Sequence, residues 1–293
     1  MGAVTSMNQI ELADQYGLRR VGARPGIWSY LKQTWQRRDF IGTMAAYRMS
    51  VENQQNRLGA FWLVLRPALN ALIYGLIFGV LQGSNRPADY TAYVVIGVFM
   101  FGFFSGSFNK GAKAITGNRG LVQSLSFPRL ALPLATVVEE FLSLLLSMVA
   151  MFAILIIAGH FPTWNWLLLI PLLALYTLFN TGVALITARL TVHFRDLTQI
   201  LPVISRLLFY TSGVLFDVTK IFKSHPWVIQ IYDWHPLYQT LIIARYALMS
   251  DSGPEAGISY DPMYWVYLSG WAVVAIVGGF LFFWAAEERY GRE

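Results

Sequence analysis

The sequence predicts an all-α integral membrane protein: six transmembrane helices, an N-terminal amphipathic interfacial helix, and two short re-entrant or periplasmic helices before the last span. Three observations carry that prediction. The 293 residues are 56% hydrophobic and only 13% charged, whereas a soluble domain is about a quarter charged. Six apolar stretches approach the roughly 20 residues a helix needs to cross a hydrocarbon core of about 30 Å. The Lys and Arg residues gather on one side of those stretches. Cysteine is absent, which removes disulfide frameworks, thiolate metal sites and cysteine nucleophiles.

Residues 1–27 are polar, hold no apolar core of a secretory signal, and are read as a cytoplasmic tail. Residues 28–58 form the interfacial helix and the lead-in to the membrane. Trp28, Leu31 and Trp35 fall at helical spacing, and Phe40, Met44 and Tyr47 continue the apolar face after a slip at Arg37, Arg38 and Asp39. Lys32, Arg37, Arg38 and Arg48 are the polar companions. Such a helix lies in the membrane interface, either as an anchor alone or as a collar against a cytoplasmic partner.

Residues 59–288 make up the transmembrane domain, with spans at about 62–81, 90–108, 130–158, 164–190, 200–216 and 263–286. The fifth is short and contains Arg206. Between the last two spans the chain is outside yet apolar. Pro226 and Pro236 divide it into two pieces, one with Trp227, Tyr232 and Trp234, the other with Leu237 and Leu241. Both are too short to span. Re-entrant backbone is tolerated only where protein covers it or it lines a cavity, which points to a gate or an outer funnel.

With the N-terminus inside, seventeen of the 22 Lys and Arg residues fall in cytoplasmic segments. Four fall outside (Arg86, Lys220, Lys223 and Arg245), and Arg206 lies within a span. That bias predicts a multi-pass protein of the cell membrane with both termini cytoplasmic. It also accounts for the net charge of +6 through anionic lipid headgroups, so nucleic acid is not an expected partner.

Glu139 and Glu140 sit in the inner half of span three, where carboxylates are costly and default to function. Three readings stand: a proton relay, a structural pair with Arg206, or snorkelling to the headgroups. The four histidines lack metal-ligand spacing and no Gly-x-Ser-x-Gly nucleophile motif appears. No catalytic residue and no metal site is expected, and the chain is not read as an enzyme. Residues 106–113 approach a phosphate-binding loop, but the lysine is one place late, no Ser or Thr follows it, and a membrane helix flanks it. Gly75 with Gly79 and Gly102 with Gly106 permit close helix packing. Tyr74, Phe78, Phe99, Phe101, Phe103 and Phe104 lie within the first two spans. They are packed or lipid-facing rings, or the lining of a passage on which sugar C–H faces stack.

Several patches resemble one family. Arg38-Asp39, Arg57-Leu58-Gly59-Ala60-Phe61-Trp62 and Leu65-Arg66-Pro67 resemble the lead-in to the first span of membrane subunits of ABC-2 type exporters for polysaccharides and polyol-phosphate polymers. Phe127-Pro128-Arg129 with Leu132-Pro133-Leu134 resembles their approach to span three, and His193-Phe194-Arg195-Asp196-Leu197 their loop between spans four and five. Trp234-His235-Pro236-Leu237 with Arg245 resembles the stretch before the last span, where Asn-Pro is usual and His235 departs. The similarity covers about residues 35–288. Within the family it looks like the Wzm-type branch of O-antigen exporters, and among those it resembles the actinobacterial galactan exporters.

The resemblance implies a homodimer with the conduit between its subunits. Two copies of a separate, Wzt-type ABC ATPase would dock below and use ATP and Mg, with no cofactor bound by this chain. The loop 113–125 would be the coupling helix, carried by Lys113, Ile115, Thr116, Asn118, Arg119, Leu121 and Val122. The pieces within 218–249 would be outer gate helices. The cargo would be a polyprenyl-pyrophosphate-linked glycan, moved outward for cell-wall or lipopolysaccharide assembly. Six spans suit half of a symmetric transporter. A proton-coupled carrier, a membrane transferase acting on lipid-linked sugars and a purely structural membrane partner are the competing readings. The first would use Glu139 and Glu140. The second would need paired acids in a cytoplasmic loop, where the loops here are basic.

Overall fold

The long apolar stretches become helices because in lipid every backbone N–H and C=O must be satisfied within the segment. A computed structural model describes residues 26–54, 59, 61–83, 87, 89–124, 127–249 and 258–287. The tail to residue 25, Arg57 and Leu58 of the lead-in, Arg86, Leu125, and the basic Arg289 and Arg292 lie outside the described residues.

The helices run α1 (Ile27–Gln36), α2 (Arg38–Gln54), α3 (Phe61–Gln82), α4 (Tyr90–Ala112), α5 (Arg119–Ser124), α6 (Ala131–Ile157), α7 (Leu169–His193), α8 (Leu197–Thr211), α9 (Val218–Ile221), α10 (Pro226–Asp233), α11 (Pro236–Leu248) and α12 (Met263–Trp284). A 3₁₀ turn, Thr116–Asn118, precedes α5, and another, Trp164–Leu168, leads into α7. Among the described residues, five helical segments are long and apolar enough to span: α3, α4, α6, Trp164–His193 and α12. Their ends lie within four residues of the expected spans: α4 runs four past 108, α7 three past 190, and α12 stops two short of 286.

The expected fifth span, 200–216, is corrected. Its helix α8 stops at Thr211 after 15 residues, about 22 Å and short of a bilayer core. Gly213 takes a left-handed φ of 72°, and the chain turns inward instead of continuing. The four carbonyls from Gly213 to Phe216 are answered. Arg245 donates to Gly213 O at 3.0 Å and Val214 O at 2.9 Å, Tyr90 to Leu215 O at 2.8 Å, and Tyr93 to Phe216 O at 2.8 Å. Non-helical backbone at this depth persists because protein covers it.

The core centres on α4, which packs against α6, α7, α3, α8 and α11 and buries most of its length. In contrast α3 buries only Ala71. A helix apolar all round and yet outward-facing is one whose solvent is lipid or another subunit. At α7 and α12 the backbones nearly touch. A Cβ on Gly182 would strike the Ala275 backbone, and one on Gly279 would strike Gly182. The glycines flagged in the sequence do less of this: Gly75 and Gly102 face open space. A smaller cluster closes the other end of the bundle, with Tyr30, Ile115, Val122, Leu130, Leu185 and Phe283.

The interfacial helix breaks where the sequence slips: Arg37 separates α1 from α2. Trp28 and Trp35 are exposed on α1, while Tyr30 and Thr34 turn inward. The two outer helices differ from each other. Helix α10 exposes Trp227 and Ile231, with Trp234 exposed at its C-cap, but α11 buries Leu237, Leu241 and nearly everything to Leu248. Of the two expected outer gate helices, α11 is therefore packed into the core of the subunit and α10 lies at its surface. His235 caps α11: Nδ1 accepts from the Tyr238 N–H at 3.4 Å. Burial holds the His235 pKa below its usual value.

Candidate functional site

Four charged residues, Arg48, Lys110, Glu139 and Glu140, gather where α4, α6 and α2 meet the 113–124 segment. Because α4 continues to Ala112, Lys110 stands on a helix beside α6. Its Nζ lies 2.9 Å from Glu139 Oε1 and 2.7 Å from Glu140 Oε1. One turn earlier, Gly106 leaves the room, since a Cβ there would run into the Glu140 carboxylate. The string that approaches a phosphate-binding loop is thus the last turns of a membrane helix, built around this ion cluster. Arg206 is exposed on α8. The sequence-level pairing of Glu139 and Glu140 with Arg206 is corrected, because the extra turn of α4 brings the nearer cation.

Arg48 of α2 joins the cluster from the other side. Its Nη1 donates to Thr136 Oγ1 on α6 and its Nη2 to Asn118 Oδ1 in the 3₁₀ turn, both at 3.1 Å. Burial pulls the Arg48 pKa down and the charge of Glu139 offsets part of that. Asn118 in turn donates to Ala114 O at 2.7 Å. Interfacial helix, turn and third span are fastened at one side chain.

The segment from Lys113 to α5 has two faces. Ile115 and Val122 are buried against the bundle, with Thr116, Asn118 and Leu121 half-buried, while Lys113, Arg119 and Gln123 are exposed. Of the seven residues expected to form a coupling surface, Lys113 and Arg119 are the two fully presented, and Ile115 and Val122 anchor them. A second fastening lies nearby. Tyr30 donates to Glu287 Oε2 at 2.6 Å and accepts from the Leu130 N–H at 3.1 Å. Arg129 donates to Glu287 through its backbone N–H at 3.3 Å and through its guanidinium to the Glu287 carbonyl. Burial raises the Glu287 pKa, and the bonds from Tyr30 and Arg129 hold it back.

Two clefts flank Lys110. One, of about 440 Å³, opens between α3, α4 and α6 and includes Trp62, Arg66, Asn70, Ser105 and Glu140. The other, of about 400 Å³, is lined by Arg48, Lys113, Asn118 and Glu139. Phe99 and Phe103 edge the first cleft. Phe103 also packs on Phe141 at 5.9 Å and Tyr176 at 5.5 Å, and Phe104 on Phe108 at 5.3 Å. Tyr74 and Phe78 are half-buried, Tyr74 against Phe209 at 5.0 Å. These candidate conduit rings sit in contacts within one subunit. Near α10, Tyr232 meets Tyr238 at 5.4 Å and Trp234 stacks on Tyr267 at 4.7 Å. Among the described residues no three His, Asp or Glu side chains gather as a metal site.

Sequence reasoning missed Arg245. Counted as an outer loop charge, it is fully buried: its guanidinium lies 3.3 Å from the Tyr93 ring centroid and Nε donates to Tyr93 O at 3.2 Å. The signal was the unbroken run Leu241, Ile242, Ile243, Ala244 before it and Ala247, Leu248 after it, which leaves no polar face for an exposed Arg.

A family model described as ABC-2 type transporter matches residues 43–249. The chain is 27% identical over 241 residues to the O-antigen export system permease protein RfbA of Klebsiella pneumoniae, covering 82% of this chain and 89% of that protein. It is 29% identical over 192 residues to the RfbA permease of Myxococcus xanthus, covering 65% and 73%. It is 27% identical over 238 residues to the polysialic acid transport protein KpsM of Escherichia coli, covering 79% and 87%.

Proposed function

The chain belongs to the ABC-2 type transporter family, and from that premise we propose that it is the membrane permease subunit of an ATP-driven exporter carrying a lipid-linked polysaccharide out of the cytoplasm. The O-antigen and polysialic acid cargoes in its relatives' names support a polysaccharide. An O-antigen-like or galactan polymer on a polyprenyl pyrophosphate is the form proposed. The subunit works as a homodimer with two copies of a Wzt-type ATPase, which bind the ATP and Mg. The 113–124 end faces the cytoplasm with both termini, in keeping with the concentration of Lys and Arg there.

The observation that carries this reading is the two-faced 113–124 segment. Ile115 and Val122 root it in the bundle while Lys113 and Arg119 point away. A short helix held rigidly to the spans and charged on its free side suits a lever moved by a partner. The Arg48 bonds pass any displacement on to α2 and α6, a contiguous element of the kind that coupling requires. The proton-carrier reading gains nothing from Glu139 and Glu140, since both are clamped on Lys110.

Co-expression of the full chain with its candidate ATPase tests the proposal. A stable complex is expected, whose ATP hydrolysis differs from that of the ATPase alone. The Lys113→Glu/Arg119→Glu pair is expected to break the complex or the difference. Absence of any complex, or indifference to the pair, refutes it.

A further inference from the structure

Pro67 stands in the second turn of α3. It has no N–H, so the Leu63 carbonyl one turn earlier loses the donor that a helix would supply. At membrane depth such a carbonyl needs a partner from elsewhere. Helix α6 provides one: Ser147 Oγ lies 3.0 Å from Leu63 O. The same hydroxyl lies 2.7 Å from Ser143 O, one turn back on its own helix. Ser147 is buried and has one proton for these two acceptors. It can turn from α3 to α6 and keep a hydrogen bond either way, since bonding to the carbonyl four residues back is open to any Ser inside a helix.

The two ends of α3 are held differently. At the outer end Gln82 donates to Leu215 O at 2.7 Å and to Tyr90 Oη at 3.2 Å, and Tyr74 packs on Phe209 at 5.0 Å. Before Pro67, among the described residues, the Ser147 bond is the one hydrogen bond that ties residues 61–66 to another helix. Phe61 and Arg66 are exposed, and the four residues between them are half-buried. Through Trp62, Leu63 and Arg66 this segment walls the cleft of about 440 Å³, whose other walls include Gly102 on α4 and Ser143 on α6. Helices bend where a proline interrupts the ladder. A broken ladder, a releasable fastening and a cleft on one side meet at a single point of α3.

We propose that Pro67 is a hinge in α3 and that Ser147 is its latch. With the hydroxyl on Leu63 O, residues 61–66 stand against α6 and the cleft has the width observed. With the hydroxyl on Ser143 O, residues 61–66 swing away from α6 and Leu63 O meets water entering the cleft, while residues 68–82 stay fastened at the outer turn. The swing opens Lys110 and Glu140, which line the cleft, to solvent. The two positions of one hydroxyl are the two-state element that a conformational coupling requires. The hinge is a property of this chain alone and goes beyond the exporter reading without resting on it.

The chain has no cysteine, so a single introduced one reports alone. Gly102 lines the cleft, and a Cβ there meets nothing within 4 Å. The test is the rate at which Gly102→Cys, in the full chain in phosphatidylcholine nanodiscs, reacts with a charged methanethiosulfonate. Ser147→Ala is expected to raise that rate about tenfold, because Leu63 O is then unmet in the latched position. Pro67→Ala returns an N–H to Leu63 O and is expected to slow the reaction. Ser147→Ala added to Pro67→Ala is expected to have little further effect, since Leu63 O no longer needs the hydroxyl. Gel filtration and thermal melts confirm that each variant is folded. The same rise on Ser147→Ala with and without Pro67 overturns the latch, by showing that Ser147 acts through packing. A rate that Pro67→Ala leaves unchanged overturns the hinge, whether or not Ser147→Ala folds. The nanodiscs contain no ATPase, so the result is separate from the exporter reading, which the complex-formation experiment decides.

Discussion

Arg48 donates to Asn118 Oδ1 at 3.1 Å, and that bond joins the interfacial helix to the turn that opens the 116–124 segment, 70 residues further along the chain. The same guanidinium reaches Thr136 at the base of α6. A push on α5 therefore has a path into both the collar and the third span.

If that path transmits force, Arg48→Ala and Asn118→Ala should impair ATPase coupling to similar degrees, and the double variant should be little worse than either. A charge-assisted hydrogen bond of this kind contributes about 1.5–3 kcal/mol. A double-mutant cycle on thermal unfolding should return an interaction energy on the order of 1 kcal/mol. Strict additivity would remove the bond from the account.

Lys110 forms ion pairs with two carboxylates at once. Lys110→Met should destabilise the protein by about 3–5 kcal/mol, because buried charge is left uncompensated. Adding Glu139→Gln and Glu140→Gln should recover most of that loss. Arg206→Gln, on an exposed site, should shift stability by only about 0.5 kcal/mol. Melting curves in detergent check all three, and a severe Arg206→Gln phenotype would return Arg206 to the cluster.

Arg245→Lys is not a conservative change here. The guanidinium serves three carbonyls, Tyr93, Gly213 and Val214, from three nitrogens, and an ammonium on a flexible stem does not reproduce that fork. Each carbonyl left buried and unmet costs about 1–3 kcal/mol, so the variant should fail to yield monodisperse protein. Normal yield and melting would show that the turn after α8 is held by other means.

The Tyr30–Glu287 contact predicts a pH dependence. Burial raises the folded-state pKa of Glu287 above its ordinary 4.5. Its contribution to stability is then fully present below that ordinary value and is lost as pH rises through the raised one. Glu287→Gln keeps an acceptor for Tyr30 and cannot ionise, so its stability relative to wild type should improve from pH 4 to pH 8. A relative loss over that interval, measured by thermal melts, would contradict the assignment.

Much of this fold was legible because membrane spans are long and their signal is summed over many residues. The outer bounds of α3, α6, α7 and α12 follow the hydropathy, and the slip at Arg37 marks the break between α1 and α2. What hydropathy could not show was where charges go once helices pack. Lys110 reads as a loop residue until α4 is seen to run on, and Arg245 reads as a surface charge until the turn at Gly213 supplies its carbonyls. The end of span five was hidden for the same reason, since Val214, Leu215 and Phe216 are apolar whether they continue a helix or line a covered turn. At the candidate site the resemblance located the 113–124 segment. Which of its residues anchor and which are presented depended on packing against Tyr30 and Leu185.

The proposed export of a lipid-linked polysaccharide, driven through the 113–124 segment, is tested most directly by surface polymer in the native host after deletion of the gene, with wild-type and Lys113→Glu/Arg119→Glu copies returned. Deletion is expected to remove surface polymer and leave its lipid-linked precursor inside; wild type is expected to restore export, and the double variant to be made and inserted yet export nothing. Surface polymer that survives deletion, or full export by the double variant, would contradict it.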